Sequence, residues 1–234
     1  MSATLDHVVV MAASLEQGLE WAQETLGVKP QIAAEVTRFG TKSAWIKMAT
    51  PTFPLAYLEI IALNPLVTHL PKGVESRWFD MDDKALRESV KPEPRLIHWV
   101  ANVSDLHAAH SLFRMQQIER GQAIACTNNT AKGVQNWTLT VRPDGQRLFD
   151  GCAPSLVQWG KPNAAEPMKL HPRNVLPRSG LSLKGFEVTH PSAPKINAAL
   201  TAIQMKDVVC TEGPPNLQLQ LNTPKGPVVL SMNP

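Results

Sequence analysis

Leu5-Asp6-His7-Val8-Val9-Val10 reads as a short apolar strand that carries His7, a side chain able to bind a metal. The stretch has three echoes. Tyr57-Leu58-Glu59-Ile60-Ile61 carries a carboxylate, Leu96-Ile97-His98-Trp99-Val100 a second imidazole, and Ser155-Leu156-Val157-Gln158-Trp159 an amide. The span from His7 to Glu59 is similar to that from His98 to Gln158. Each pair brackets a helix-like stretch and a hairpin-like stretch. Two copies of one unit therefore offer four metal-capable side chains at matching positions.

Within the first unit, Ser14 is placed to cap a helix, with Gln17 three residues later as its reciprocal partner. Leu15, Leu19, Ala22 and Leu26 follow at helical spacing, and Gly27 is a natural stop. TKSAWIKMAT (41–50) and FPLAYLEIIAL (53–63) read as strands joined by a turn at Pro51 to Pro54. A long polar and proline-punctuated connection leads to the second unit. There the order repeats, with a strand from Arg95, Ser104 as N-cap, and a stripe at Leu106, Ala109 and Phe113. A strand in NWTLTVRPDG (136–145) and the closing strand SLVQWG (155–160) complete it.

Residues 161–180 read as a proline-rich linker. Residues 181–234 then look like a shortened third unit with a helical stripe at Ile196, Leu200 and Ile203 and the alternating LQLQL (217–221). Gly185 or Phe186 stands near the position of His7, so this copy lacks the ligand, and it is expected to lengthen the sheet. The expected division is a domain over 1–160, with modules at about 1–64 and 94–160, then the linker and the third module.

Composition narrows the class. An apolar fraction of 43% with 18% charged residues fits a folded domain and not a disordered chain. The net charge of +3 is spread without runs of like sign, which argues against nucleic acid or a membrane surface as partner. No basic-then-apolar leader opens the sequence and no apolar run reaches membrane-span length. Cys126, Cys152 and Cys210 are odd in number and widely spaced, unlike a disulfide framework or a cysteine zinc site. A reducing cytoplasm is the expected location.

The ordered fragments Leu5–Val9, Gly40-Thr41, Tyr57–Ile61, Arg77-Trp78-Phe79, Leu96–Val100 and Leu156–Trp159 resemble the vicinal oxygen chelate superfamily, in particular its glyoxalase-like branch. The resemblance covers most of the chain to about Gly160. It implies an α+β fold of paired βαβββ modules forming a cupped mixed sheet with helices outside. It also implies a divalent metal (zinc, nickel, cobalt, manganese or iron) held by His7 and Glu59 of one module and His98 and Gln158 of the other. Strand alternation agrees, because it sets Leu5, His7 and Val9 on one face and Tyr57, Glu59 and Ile61 on one face. Trp99 and Trp159 then point away from the metal, towards covering helices.

Such a site suits a small substrate chelating through two oxygens, whose carbonyl the metal would polarise. Many members of the superfamily carry a second glutamate where this chain has Gln158, and an amide takes no proton near neutrality. Glu59 is therefore the expected base as well as a ligand. A lyase, isomerase or epimerase is implied. Two histidines and a carboxylate also match an extradiol-type dioxygenase, and a metal-free binding or sequestering protein on the same fold is the third reading. The protein is expected to be a monomer or a homodimer. Arg77, Trp78 and Phe79 are candidates for a substrate-pocket wall, Arg77 through attraction of a carboxylate. Without metal, Glu59 would need a cation such as Arg38 or Arg95. His107 and His110, spaced i,i+3, fit a solvated helix face, while His69, His171 and His190 have no matching partner in the repeat.

Overall fold

The structure is a computed structural model that describes residues 2–36, 39–70, 74–161 and 164–233, and excludes the side chains of 34–36. Arg38 lies outside the described residues. The first module runs from strand β1 (Thr4–Met11) into helix α1 (Leu15–Trp21), then β2 (Gln31–Val36), β3 (Thr41–Lys47) and β4 (Tyr57–Leu63). Ser14 Oγ accepts from Gln17 N at 3.1 Å and Gln17 Oε1 accepts from Ala13 N, so the capping signal in the sequence is realised. The helix closes through a π-helical turn, Ala22–Leu26, onto Gly27 at φ 68°, a left-handed value that favours glycine.

The second module has β5 (Arg95–Asn102), α3 (Leu106–Met115), β6 (Gln122–Thr130), β7 (Gly133–Val141) and β8 (Ser155–Trp159), preceded by the short helix α2 (Lys84–Ser89) of the connection. Asp105, rather than Ser104, caps α3 by accepting from Ala108 N. The strands β2 and β6 and the helix α2 have weak sequence periodicity and were not distinguishable from loop by pattern.

All eight strands join one sheet in the order β2-β3-β4-β1-β5-β8-β7-β6. Within each module the first and last strands pair in parallel, and the modules meet through the antiparallel β1–β5 pair. The order reads the same outward from that seam, which is the pseudo-two-fold of a duplicated unit. The sheet curls into a cup. Its outer face carries Leu5, Val8, Val10, Leu58, Ile60, Leu96, Trp99 and Leu156 into the main core. Its inner face carries Val9, Met11, Ile61, Ile97, Val100, Leu139, Val157 and Trp159, plugged at one end by Trp78, Phe79, Met81 and Val90 from the inter-module connection.

Two β-bulges break the alternation where it matters. One lies between Leu5 and His7 on β1, the other opposite Val9 and Val10 on β5. A bulge inserts a residue and re-aims its neighbours. Leu5 consequently lies on the outer face with Val8, and is not on His7's side as strict alternation predicts. Asp6 and His7 both project into the cup.

The third unit, β9 (Ser182–Thr189), α5 (Ala193–Ala202), β10 (Cys210–Thr211), β11 (Asn216–Thr223) and β12 (Gly226–Ser231), does not lengthen the first sheet. It forms a separate four-stranded sheet, ordered β10-β9-β11-β12. Leu183, Phe186, Leu217, Leu219 and Leu221 bury one face of it against the outer core, where Phe186 meets Trp99 edge-on at 5.5 Å. The segment read as a linker contains one short helix, α4 (Pro172–Val175), and lies along the cup.

Packing of α1 on the sheet depends on Gly18, where a Cβ would stand 2.4 Å from Ile60 Cγ2. Ile60 is branched at Cβ and fully buried, so it has little room to yield. Gly18→Ala should therefore destabilise the fold by about 1–3 kcal/mol despite alanine's better helix propensity, as measured by urea denaturation.

Candidate functional site

Inside the cup of the first module, the bulge sets the carboxylate of Asp6 beside the ring of His7. His7 Nδ1 donates to Asp6 Oδ1 at 2.7 Å. Its Nε2 faces Glu59 Oε2 at 3.5 Å, a looser approach than a good hydrogen bond. Glu59 Oε1 accepts from Trp45 Nε1 at 3.1 Å, and Tyr57 stacks on the His7 ring at 4.6 Å. Asp6 Oδ2 accepts three more donors: Asn102 Nδ2 at 3.0 Å, Trp159 Nε1 at 3.0 Å and His171 Nε2 at 3.1 Å. Asp6 and His171 are completely buried, and His7 and Glu59 are each 7% exposed.

These partners decide the charges. Burial opposes the ionised form of Asp6, but His171 and His7 outweigh it and hold the carboxyl well below its usual range. Burial likewise opposes protonation of His7, and Asp6 and Glu59 overcome it, raising the imidazole to about 9. Glu59 is kept below its ordinary value against the same burial, by His7, Trp45 and Ser43. The floor of the cup is thus an imidazolium between two carboxylates.

Around it stand Ser43, Trp45, Tyr57, Trp78, Phe79, Trp137, Leu139, Val157 and Trp159. They leave about 30 Å³ of free space, room for roughly one or two waters. Trp78 is sandwiched between Phe39 at 4.4 Å and Phe79 at 4.9 Å, and its Nε1 is a buried donor that has no partner among the described residues.

The four expected ligands do not converge. His7 and Glu59 do meet. His98 is fully buried with both ring nitrogens occupied: Nδ1 donates to Gly151 O at 3.0 Å, and Nε2 accepts from Ser155 Oγ at 3.0 Å. Burial, with Arg120 and Arg147 nearby, holds its pKa well below the ordinary value, so it is neutral. The lone pair that a metal would need faces the buried guanidinium of Arg120, whose Nη2 lies 3.5 Å away. The backbone that offers Gly151 O is unusual, with positive φ at Leu148, Phe149, Asp150 and Gly151 in succession.

Gln158 points out of the cup. Its Oε1 accepts from Leu106 N at 2.8 Å and closes the start of α3, while Trp159 takes the inward place. That reverses the expected facing of the pair, because β8 alternates strictly and presents Ser155, Val157 and Trp159 inward. Trp99 does face outward, as expected. Among the described residues, no group of three or more His, Cys, Asp or Glu side chains is arranged to hold a metal. The donor set therefore does not fit the divalent metal that the resemblance implies.

Of the expected pocket wall, Trp78 and Phe79 line the cup. Arg77 does not, being bound instead to Asp82 at 2.6 Å and to Val67 O. His110 pairs with Glu119 on the surface. Asp6, Trp45, Trp159 and His171 are the participants that sequence reasoning missed. The signal for Asp6 was two adjacent polar residues in an apolar strand, a break in period two that marks a bulge.

A family model described as "glyoxalase-like domain" matches residues 5–203. No curated protein matches the sequence. Among solved structures, a hypothetical protein from Staphylococcus aureus shares the fold at 13% identity and a TM-score of 0.57, with 91% of this chain and 87% of that chain covered. A Streptomyces coelicolor methylmalonyl-CoA epimerase is similar at 16% identity over 67% of this chain and 98% of that one, with a TM-score of 0.39. The Mycobacterium tuberculosis methylmalonyl-CoA epimerase gives 17%, 66%, 85% and 0.36 in the same order. The last two are too distant to bear on function.

Two outcomes follow for the buried charges. The folded state holds the His7 proton to about pH 9, while an unfolded histidine releases it near 6.5. Its contribution is complete below about 6.5 and is lost as pH rises through about 9. Urea denaturation across that window should show falling stability. Asp6→Asn should flatten the trend and cost about 3–5 kcal/mol near pH 6, since it leaves buried His7 unbalanced. Zinc, nickel, manganese or ferrous iron should give no concentration-dependent rise in melting temperature of untagged protein; a saturable rise that His98→Ala abolishes would overturn the misfit of the donor set.

Proposed function

The chain belongs to the glyoxalase-like domain family of the vicinal oxygen chelate superfamily, and on that premise we propose that it moves a proton on a small carbonyl-bearing substrate, admitted to the cup when the Trp78–Phe79 plug moves aside, as an isomerase or epimerase. The observation that carries this reading is the buried Asp6–His7–Glu59 chain at the floor of an aromatic-walled cup. Superfamily members commonly use a divalent cation to stabilise charge developing on a substrate oxygen. Here the positive charge at that place is the His7 imidazolium, fixed by Asp6.

The roles follow from the contacts. The His7 Nε2 proton is only loosely engaged by Glu59 at 3.5 Å, so a substrate carbonyl oxygen can compete for it. Trp78, which lines the cup and whose Nε1 has no partner among the described residues, would be a second donor if its indole turned that atom to a substrate oxygen. Both would stabilise an enolate more than the parent ketone, which is the requirement for lowering the barrier. Glu59, held by Trp45, is the acceptor for the proton on the adjacent carbon; the same carboxyl would return it to the neighbouring carbon in an isomerisation, or to the opposite face of the same carbon once the enolate has turned over in an epimerisation. A carboxylate of depressed pKa is a modest base, so the reading requires a carbon acid activated by these donors. Tyr57 and Trp159 hold His7 and Asp6 in place and keep water out.

A second reading has its own support. The low pKa of Glu59 and the walls of Trp45, Trp78, Trp137 and Trp159 equally suit binding without turnover, the fold then serving to sequester a small molecule.

The test is proton exchange followed by NMR in D2O, with a panel of small α-hydroxy-ketones and β-keto acids. Wild-type protein should wash deuterium into the carbon next to the carbonyl of at least one compound. Glu59→Gln and His7→Gln should each slow that exchange about 10²–10⁴-fold, compared at a temperature where circular dichroism shows each variant folded. Saturable binding of panel members with no exchange above buffer would favour sequestration. Exchange indifferent to Glu59→Gln would remove Glu59 from the mechanism.

A further inference from the structure

Beside the cup, the turn between β3 and β4 and the segment crossing from the second module to the third enclose a depression of about 660 Å³. Its walls include Lys47, Thr50, Pro51, Pro54, Arg173 and Arg178. Three of these are cations and none is an acid. The sequence explains the imbalance: Met48 to Ala56 contains no Asp or Glu, and neither does Pro167 to Phe186, which carries Lys169, Arg173, Arg178 and Lys184. Among the described residues, no carboxylate pairs with Lys47, Arg173 or Arg178, and no group there accepts a hydrogen bond from their side chains. Three like charges brought to one concavity without compensation repel one another, an arrangement that an anion relieves.

The two walls are fixed to each other. Ser179 Oγ donates to Lys47 O at 2.5 Å, and Leu183 N donates to Met48 O at 3.0 Å. Arg173 follows by two residues His171, which is anchored to Asp6 in the cup, and its own backbone N–H donates to His171 Nδ1 at 3.0 Å. On the other wall Lys47 ends the strand that carries Trp45. The position of both walls relative to the reactive chain is therefore set by hydrogen bonds at each end.

We propose that this depression is an oxyanion-binding site that takes a phosphoryl or diphosphate group, with Arg173 and Arg178 as bidentate donors and Lys47 as a point charge. As the acidic tail of a substrate whose carbonyl end enters the cup, a clause that rests on the function proposed above, the group would be held outside while the chemistry proceeds within.

Binding can be measured without turnover, by isothermal titration calorimetry of inorganic pyrophosphate into the protein at about 0.15 M salt, where long-range surface attraction is largely screened. Wild type should bind saturably at one site. The variant Lys47→Gln/Arg173→Gln/Arg178→Gln should lose at least roughly tenfold in affinity. Lys29→Gln/Arg114→Gln/Lys206→Gln removes the same net charge elsewhere on the exposed surface and should stay within about twofold. Absence of saturable binding by the wild type overturns the site, and so does an equal loss in both variants, which would mean attraction to net charge alone. Neither result bears on proton exchange in the cup, and failure of that exchange would leave the anion site standing.

Discussion

A fully buried carboxylate without partners would cost more than this fold could spare. Asp6 has four donors, and they come from four parts of the chain: His7 on its own strand, Asn102 across the module seam, Trp159 on the last strand of the second module, and His171 beyond it. One side chain therefore ties together both halves of the duplicated sheet and the segment lying along it. The same carboxylate keeps His7 charged, so the interaction that organises the architecture also sets the electrostatics of the cup. A buried polar network of this kind is stable only when complete.

Duplication gave the two modules one backbone plan, but their interiors have diverged. In the first, the bulge on β1 points a charged pair into the cup. In the second, the corresponding histidine is neutral and locked between Gly151 O and Ser155, under Arg120, whose pKa burial pushes down to about 9. Arg120 Nη1 bonds Arg147 O, and Arg147 reaches Asp80 and Ile97 O. These contacts pin the connection bearing Trp78 and Phe79 against the sheet. One half of the symmetric frame presents its charged pair to the cup and the other half braces the sheet behind it.

Much of the scaffold was legible in the sequence. Apolar strand runs, the Ser14 cap and the repeated order of elements give the paired modules directly, because period and capping are local properties. That His7 and Glu59 share one pocket was implied by the family resemblance, and alternation along each strand agreed with it. Gln158 was misread because its strand keeps strict register, and one residue of offset against Glu59 turns a side chain to the opposite face. His98 was misjudged because the groups that occupy it, Ser155 and Arg120, lie 57 and 22 residues away. His171 had no local pattern at all. Its role depends on where a proline-rich segment lies in three dimensions, which periodicity does not encode.

That segment has a consequence for what counts as the unit of this protein. Residue 160 is where the repeat ends, and it would be the obvious place to divide the chain. Yet the buried acceptor at the heart of the cup takes a donor from position 171, and the outer face of the central strand keeps its Trp99 covered by Phe186. The repeating unit and the working unit are thus of different lengths. The duplicated modules build the vessel, and the segment that follows them closes it.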